Sequence, residues 1–294
     1  MANRRTLRDI LCSPEVEYAM EAHNGLSAKI AEKAGFPVLW ASGLTMSSSL
    51  GHRDCNEISW TNFCDQLEYM VDAVSVPILM DGDTGFGNFN NVRQLVIKLC
   101  KYGVAGVCLE DKIFPKTNSF LPYHQTLAPI EEFIGKIKAA KDTQLHPGFC
   151  VIARTEAFIA GKGIEEALKR AYAYRDAGAD AILVHSKQST PLEIEQFCEH
   201  WDQSFPLIII PTKYPNSPPQ LYQKLGISLV IWANHLLRAS ITAMQTAACR
   251  IFQESSIQSI HQEIASVDDI FELVNEAELT EAEKKYASET TLTF

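Results

Sequence analysis

The segment Pro77-Ile-Leu-Met-Asp81-Gly-Asp83-Thr-Gly85-Phe-Gly87-Asn88 decides how the chain is interpreted, because an apolar run ends there in two acids and a glycine-rich turn. Residues two apart lie on one face of a β-strand, so Asp81 and Asp83 are expected to project together from its carboxyl end. Carboxylates that close repel each other, and a divalent cation relieves the repulsion. Gly85 and Gly87 would let the backbone approach a ligand closely. The alternative is a buried strand followed by a helix that Asp83 caps, and this segment alone does not separate the two.

The same pattern, an apolar run with polar residues at its end and then a helical segment, repeats along the chain. The apolar runs are Tyr18 to His23, Val38 to Ser42, Ile78 to Asp83, Gly106 to Asp111, Cys150 to Glu156, Ala181 to Ser186, Leu207 to Thr212 and Leu229 to Asn234. The amphipathic stretches include Trp60 to Ala73, Val92 to Lys101, Ile130 to Lys141, Glu165 to Ala177 and Leu192 to Trp201. Strands that alternate with helices predict βαβ units and a parallel sheet. Eight such units in about 250 residues predict a (β/α)₈ TIM barrel, with an open doubly wound sheet as the alternative.

The C-terminal part departs from this rhythm. Helices are predicted over Ser240 to Phe252, Val267 to Leu279 and Glu281 to Ala287, which is more helix than a barrel needs. No linker rich in Pro, Gly or Ser divides the chain, so we assign residues 1–294 to a single barrel domain, with residues 240–294 as a C-terminal helical extension. Helices outside the barrel ring predict oligomerisation.

The composition indicates which kinds of partner the protein binds and in which compartment it is found. A formal net charge of −10 over 294 residues argues against nucleic acid or an anionic membrane as the main partner. The eight cysteines form no C-x-x-C pair and are expected to be reduced, as in a cytoplasmic protein. Neither a signal peptide nor a membrane span is expected, because the apolar runs have only strand length.

The predicted strand ends carry a ring of polar side chains, and barrel active sites lie at that end. The ring consists of His23 and Asn24, Ser42 and Gly43, Asp81 and Asp83, Glu110 and Asp111, Arg154 and Glu156, His185 and Ser186, Thr212 and Lys213, and Asn234 and His235. It combines oxygen ligands suited to Mg²⁺ with donors suited to a carboxylate and a phosphoryl group. For His23, Thr212 and Asn234 alone, we favour ordinary cap or loop hydrogen bonds.

Eight blocks of sequence resemble the phosphoenolpyruvate mutase family of the isocitrate lyase superfamily. They are MEAHNGLSAKI (20–30), WASGLTMSSSLGHRDCNE (40–57), DGDTGFGNFNN (81–91), EDKIFPKTNS (110–119), ARTEAFIAGKG (153–163), GADAILVHSK (178–187), PTKYP (211–215) and IWANHLLRA (231–239). The resemblance covers nearly the whole chain. The first acidic block is shared across the superfamily, whereas the 110–119 loop is specific to the branch that handles phosphonopyruvate.

The resemblance implies a role for each matching residue. Asp81 would bind Mg²⁺, with Asp83 and Glu110 acting through its water shell. The substrate's carboxylate and enolate oxygen would be held by Trp40, Ser42, Gly43 and Leu44. The phosphoryl group would be held by Arg154, His185 and Asn118, with Lys116 and Ser119 in the same gating loop and Asp54 beside the phosphorus. The implied reaction converts phosphoenolpyruvate into phosphonopyruvate, in a homotetramer built from dimers that exchange a C-terminal helix.

One segment departs from the family pattern, and three other functions stay open. Phe120 to Pro129 (FLPYHQTLAP) stands where mutases carry a short polar segment with Gly and Arg. A phosphonopyruvate hydrolase would share most of the site, with a different residue expected at Asn118. A C–C lyase or decarboxylase of 2-oxo or 2-hydroxy acids is a further alternative, although the lyase loop motif is not found in the sequence. A catalytically silent binding protein ranks last, because every charged position carried over is intact.

Overall fold

The computed structural model describes residues 5–122 and 125–287, and eight parallel strands in this part of the chain form a closed barrel in chain order. The strands are β1 (Glu17–Ala22), β2 (Val38–Ala41), β3 (Ile78–Asp81), β4 (Gly106–Glu110), β5 (Cys150–Thr155), β6 (Ala181–Val184), β7 (Leu207–Ile209) and β8 (Leu229–Trp232). The pairing of β1 with β8 closes the ring. The predicted (β/α)₈ barrel is therefore confirmed, and the open sheet is excluded.

Helices connect the strands and continue beyond the last one. They are α1 (Leu7–Leu11), α2 (Gly25–Lys33), α3 (Gly43–Ser49), α4 (Trp60–Ala73), α5 (Phe89–Tyr102), α6 (Ile130–Thr143), α7 (Gly163–Asp176), α8 (Leu192–His200), α9 (Pro219–Lys224), α10 (His235–Glu254), α11 (Val267–Val274) and α12 (Glu276–Tyr286). The long C-terminal helix begins five residues before its predicted start at Ser240.

The barrel has two apolar layers because successive strand residues point to opposite sides. In β2, Val38 and Trp40 belong to the inner cluster, whereas Leu39 and Ala41 pack outward with the helices. Leu7 and its neighbours on α1 join the inner cluster. Because both faces of each strand are buried, the strands appear in the sequence as continuous apolar runs.

The prediction of a single helix from Val267 to Leu279 is wrong. Asn275 adopts a left-handed conformation with φ 61°, so the chain turns between α11 and α12. Asparagine tolerates this backbone region better than most residues, which makes it a helix C-terminal residue.

Residues up to Leu237 form one compact unit, and residues from Arg238 form a second. All eight cysteines lie in the described part of the chain and are free. Within residues 5–122 and 125–287, no helix is both long and apolar enough to cross a membrane.

Candidate active site

A cavity of about 50 Å³ lies at the carboxyl ends of the strands. Its lining comes from the strand ends and from the loop that follows β4. The lining residues are Trp40, Ser42, Leu44, Asp54, Asp81, Glu110, Lys112, Lys116, Thr117, Asn118, Ser119, Phe120, Arg154, His185, Ile210, Thr212, Ala233 and Asn234. Of the ring expected at the strand ends, seven residues line this cavity, namely Ser42, Asp81, Glu110, Arg154, His185, Thr212 and Asn234.

The two acids after β3 meet by a different route from the one expected. The strand ends at Asp81, and Asp83 has a left-handed φ of 48°, so the two side chains do not share a strand face. They nevertheless converge beside Gly43, whose backbone N donates to Asp81 Oδ2 at 3.2 Å. Asp83 forms an ion pair with Lys116 and accepts a 2.7 Å hydrogen bond from Asn56 Nδ2.

The glycines of the turn allow a tight backbone conformation against α5 and do not line the cavity. Gly85 and Gly87 have φ of 86° and 144°, a region that favours glycine. A Cβ on Gly85 would overlap the Val92 side chain, so the expected close approach is to α5 and not to a ligand. The first turn of α5 is capped by Asn88, which excludes the alternative that Asp83 is the cap.

Negative charge is concentrated around the cavity. Burial, together with the charges of Asp81 and Asp54, raises the pKa of Asp83 to about 8 against the opposing charge of Lys116. Burial likewise raises the pKa of Asp81. Carboxylates outnumber cationic side chains: Asp54, Asp81, Asp83, Glu110 and Glu156 face Lys112, Lys116 and Arg154. A divalent cation would bring this group of charges close to balance.

One wall of the cavity comes from the covering loop, a name used here for residues 111–122 and 125–128. Lys116 Nζ lies 2.7 Å from Asp54 Oδ1, and Asn118 Nδ2 donates to Asp54 Oδ2 at 2.7 Å. Burial raises the pKa of Asp54, but Lys116 and Asn118 outweigh burial and leave the pKa below its ordinary value. Asp54 is therefore an ionised anchor for the covering loop.

Opposite the acids, Glu156 organises the cationic side of the cavity. Its Oε1 accepts from Arg154 Nε at 2.6 Å and lies 2.8 Å from His185 Nδ1. Its Oε2 accepts from Ser119 Oγ of the covering loop at 2.5 Å. Burial raises the pKa of Glu156, but Arg154 and His185 dominate and hold it well below its ordinary range. Burial and Arg154 lower the pKa of His185, which favours the neutral imidazole.

Three buried polar atoms of cavity-lining residues have no hydrogen-bond partner among residues 5–122 and 125–287. They are Glu110 Oε1, His185 Nε2 and Thr212 Oγ1, of which Glu110 Oε1 lies 3.4 Å from Lys112 Nζ in an ion pair. A buried polar atom without a partner is costly unless a ligand or water satisfies it. His185 Nε2 and Thr212 Oγ1 are therefore candidates to contact a polar ligand.

The residues expected from the sequence are mostly at the cavity. The structure places Trp40, Ser42, Leu44, Asp54, Asp81, Glu110, Lys116, Asn118, Ser119, Arg154 and His185 in its lining. Gly43 and Asp83 do not line it, but each contacts a lining residue, Gly43 through Asp81 and Asp83 through Lys116. Thr212 and Asn234, for which a cap or loop role was favoured, also line the cavity. His23 does not, and its Nδ1 lies 2.7 Å from Glu21 Oε1.

Four residues that connect the site were given no role from the sequence. Lys112 and Gln125 bind other residues of the covering loop, Asn56 accepts from Lys116 N of that loop, and Glu156 joins the loop to Arg154. Glu156 stood in the strand-end ring, which was the available signal. The others leave no spacing signal, because their partners are brought near only by the folded loops. Tyr123 and His124 of the unusual Phe120 to Pro129 segment lie outside the described residues.

Within residues 5–122 and 125–287, no group of three or more His, Cys, Asp and Glu side chains is placed so that it could hold a metal ion by itself. This is compatible with Mg²⁺, which keeps several waters and binds through one or two carboxylates together with substrate oxygens. The ligand set Asp81, Asp83 and Glu110 stays a prediction.

Comparison with known proteins gives consistent matches. The family described as "Phosphoenolpyruvate phosphomutase" matches residues 7–252. A phosphoenolpyruvate phosphomutase from Tetrahymena pyriformis is 53% identical over 95% of this chain and 94% of its own length. The crystal structure of a phosphoenolpyruvate phosphomutase from Streptomyces platensis subsp. rosaceus has a TM-score of 0.94 and 40% identity, covering 96% of this chain and 98% of that one. A phosphonopyruvate hydrolase, solved as a complex with oxalate and Mg²⁺, has a TM-score of 0.92 and 39% identity, covering 98% and 100%.

Proposed function

The chain belongs to the phosphoenolpyruvate phosphomutase family, and on that premise we propose that it interconverts phosphoenolpyruvate and phosphonopyruvate. The observation that carries the proposal is the arrangement of Asn118 and Lys116 over Asp54, facing Arg154 and His185 across one cavity. The higher identity to a mutase than to the hydrolase supports isomerisation over hydrolysis.

The two halves of the substrate would bind at different walls. Ser42, Gly43 and Leu44, next to Trp40, would hold the carboxylate and the enolate oxygen. Arg154, His185 and Asn118 would hold the phosphoryl group, and the unpartnered His185 Nε2 supports this role. Thr212 Oγ1 is a further donor at the same cavity.

The reaction would be an intramolecular transfer. The bond from the enol oxygen to phosphorus breaks, and the electron pair of the enolate at C3 forms the new bond to phosphorus. A loose, metaphosphate-like group needs positioning and charge neutralisation more than a covalent partner. Ionised Asp54 would hold Lys116 and Asn118 against this group, while the covering loop keeps water out.

A magnesium ion at the buried acids is part of the proposal. Asp81 would bind it directly, with Asp83 and Glu110 contacting it through water, and the excess of buried negative charge supports a divalent cation there. Bound Mg²⁺ would supply positive charge to the oxygens of the substrate.

A homotetramer, built from dimers that exchange a C-terminal helix, is part of the proposal. Its support is the apolar face of α11, where Val267, Ile270, Phe271 and Val274 are all about half exposed. The free cysteines support a reducing, cytoplasmic location. Because the equilibrium should favour the enol phosphate, a downstream enzyme that consumes phosphonopyruvate is expected as a metabolic partner.

The test is to incubate the purified protein with phosphonopyruvate and Mg²⁺ and to follow ³¹P NMR. Formation of phosphoenolpyruvate is the expected result. Formation of inorganic phosphate alone would identify a hydrolase, and no change would leave a lyase or a binding protein.

A further inference from the structure

The covering loop is closed at its base by backbone pairing. Ala128 N donates to Asp111 O at 2.8 Å, and Ile113 N donates to Thr126 O at 3.2 Å. Lys112 and Leu127 form an antiparallel bridge between these two bonds. The loop is therefore a compact unit with fixed ends, and its shape depends on what fills its interior.

The side chain of Lys112 lies in the interior of the described part of the loop. Lys112, 2% exposed, donates from Nζ to Thr117 O at 2.6 Å and to Ser119 Oγ at 2.9 Å. The same nitrogen reaches Gln125 Oε1 at 3.3 Å. These bonds connect Thr117 and Ser119 to the base of the loop, where Lys112 lies.

Gln125, 5% exposed, completes this interior by using both ends of its amide. Its Oε1 accepts from Lys112 and from Thr117 Oγ1 at 3.2 Å. Its Nε2 donates to the backbone oxygen of Asn118 at 3.2 Å. An amide offers an acceptor to the ammonium and a donor to the carbonyl, whereas a carboxylate offers only acceptors.

We propose that Gln125 is a positioning residue that sets the outcome of the reaction. It fixes the backbone of Asn118, so that the Asn118 amide stays on Asp54 and the covering loop stays sealed above the phosphoryl group. This inference rests on the proposed mutase function.

The competing outcome is hydrolysis. A water oxygen bonds to phosphorus, the bond from phosphorus to C3 breaks, and C3 takes a proton to give pyruvate and phosphate. Isomerisation prevails only while water is kept from the phosphorus, so a misplaced Asn118 lowers the rate and also diverts product.

The test compares Gln125→Ala and Gln125→Glu with the control Gln220→Ala, whose exposed side chain lies on α9 and outside the covering loop. With phosphonopyruvate and Mg²⁺, both Gln125 variants should lose roughly three- to tenfold in kcat with little change in KM, as expected for one lost hydrogen bond. Their ratio of phosphate to phosphoenolpyruvate should rise, whereas the control should match the wild type. Gln125→Glu is decisive because it keeps an acceptor for Lys112 and lacks the donor to Asn118.

Amide hydrogen exchange over residues 116–122 provides a second readout that needs no turnover. Faster exchange in both Gln125 variants, with an unchanged Tm, supports the positioning role even if the wild type forms no phosphoenolpyruvate and the proposed function fails. The inference is overturned if exchange is as slow as in the wild type. It is also overturned if an active variant loses Tm while its product ratio stays unchanged.

Discussion

At the scale of single residues, the main feature of the site is a group of buried carboxylates that repel one another. Asp81 and Asp83 both have raised pKa values because they are buried, and Asp54 and Glu110 add to the repulsion. Lys116 compensates part of this charge through its ion pairs with Asp54 and Asp83. Buried carboxylates that repel one another destabilise the fold, so their presence here indicates that they bind a ligand.

Asp81→Ala should abolish turnover without unfolding the protein. The variant loses the hydrogen bond from Gly43 N but no longer buries a repelled charge, so its Tm should change little. The loss in kcat should exceed the roughly 10–100-fold typical of a residue that supports a metal ligand. Asp81→Asn, which keeps an acceptor for Gly43, should be equally inactive if charge is what matters.

Metal removal checks the same assignment. EDTA should silence the wild type, and added Mg²⁺ should restore it, as measured by phosphoenolpyruvate formation. Full activity in metal-free buffer would contradict the magnesium proposal.

Asn118→Ala should cripple isomerisation while leaving the fold intact. Removing one donor that stabilises developing charge typically costs about a hundredfold or more in kcat. Asn118→Asp, which would face the carboxylate of Asp54, should also release some phosphate. Simultaneous measurement of phosphoenolpyruvate and phosphate gives both quantities, and wild-type rates in Asn118→Ala would remove the covering loop from the mechanism.

The sequence located those site residues that stand at predictable places. Arg154, His185 and Asp81 were found because strand ends in a barrel face one point, so counting strands positions them. Asp54, Lys116 and Asn118 needed the resemblance to a family, since loop side chains converge only after folding. Gln125 and Asn56 were missed because their bonds go to backbone atoms and side chains whose positions no pattern encodes.

At the scale of elements, α7 anchors the base of the covering loop. Arg170 Nη1 lies 3.0 Å from Asp111 Oδ2 and donates to Ala128 O at 3.0 Å. Tyr174 OH donates to the same Asp111 oxygen at 2.7 Å. The order and approximate positions of the strands and helices followed from apolar periodicity, although β6, β7 and β8 end before their predicted limits. The left-handed turns at Asp83 and Asn275 did not follow from the sequence, because non-glycine residues adopt this conformation only in particular tertiary settings.

Arg170→Ala should lower the free energy of unfolding by about 3–5 kcal/mol, because it leaves Asp111 buried without its cation. Urea unfolding measures the loss. Lys169→Ala, with a side chain 68% exposed, is the matched control and should change stability by less than about 0.5 kcal/mol. A loss below about 1 kcal/mol for Arg170→Ala would show that its ion pair with Asp111 does not stabilise the base of the covering loop.

At the scale of the whole molecule, the barrel was predictable because its eight repeats each carry the same signal. The assembly was not, since an apolar helix face indicates that something covers it without fixing the symmetry. α11 exposes Val267, Ile270, Phe271 and Val274 at the spacing of one helix face.

Phe271→Glu should therefore dissociate the proposed tetramer of 32.8 kDa chains, because a carboxylate is costly to bury in an apolar contact. Light scattering coupled to size exclusion gives the mass. Leu145→Glu, at a residue with 49% exposure outside the C-terminal helices, should leave the mass unchanged. A tetramer that persists in Phe271→Glu would assign the contact to another surface.

The bonds from the covering loop to Glu156 have a kinetic consequence. Ser119 Oγ donates to Glu156 at 2.5 Å and Lys112 lies 3.5 Å from it, so opening the covering loop breaks both contacts. We expect substrate to enter only when the loop opens, so that the observed binding rate levels off at the opening rate as concentration rises. Stopped-flow fluorescence of Trp40, which lines the cavity, would follow this saturation. A binding rate that stays linear in substrate concentration would mean that opening of the covering loop does not limit binding.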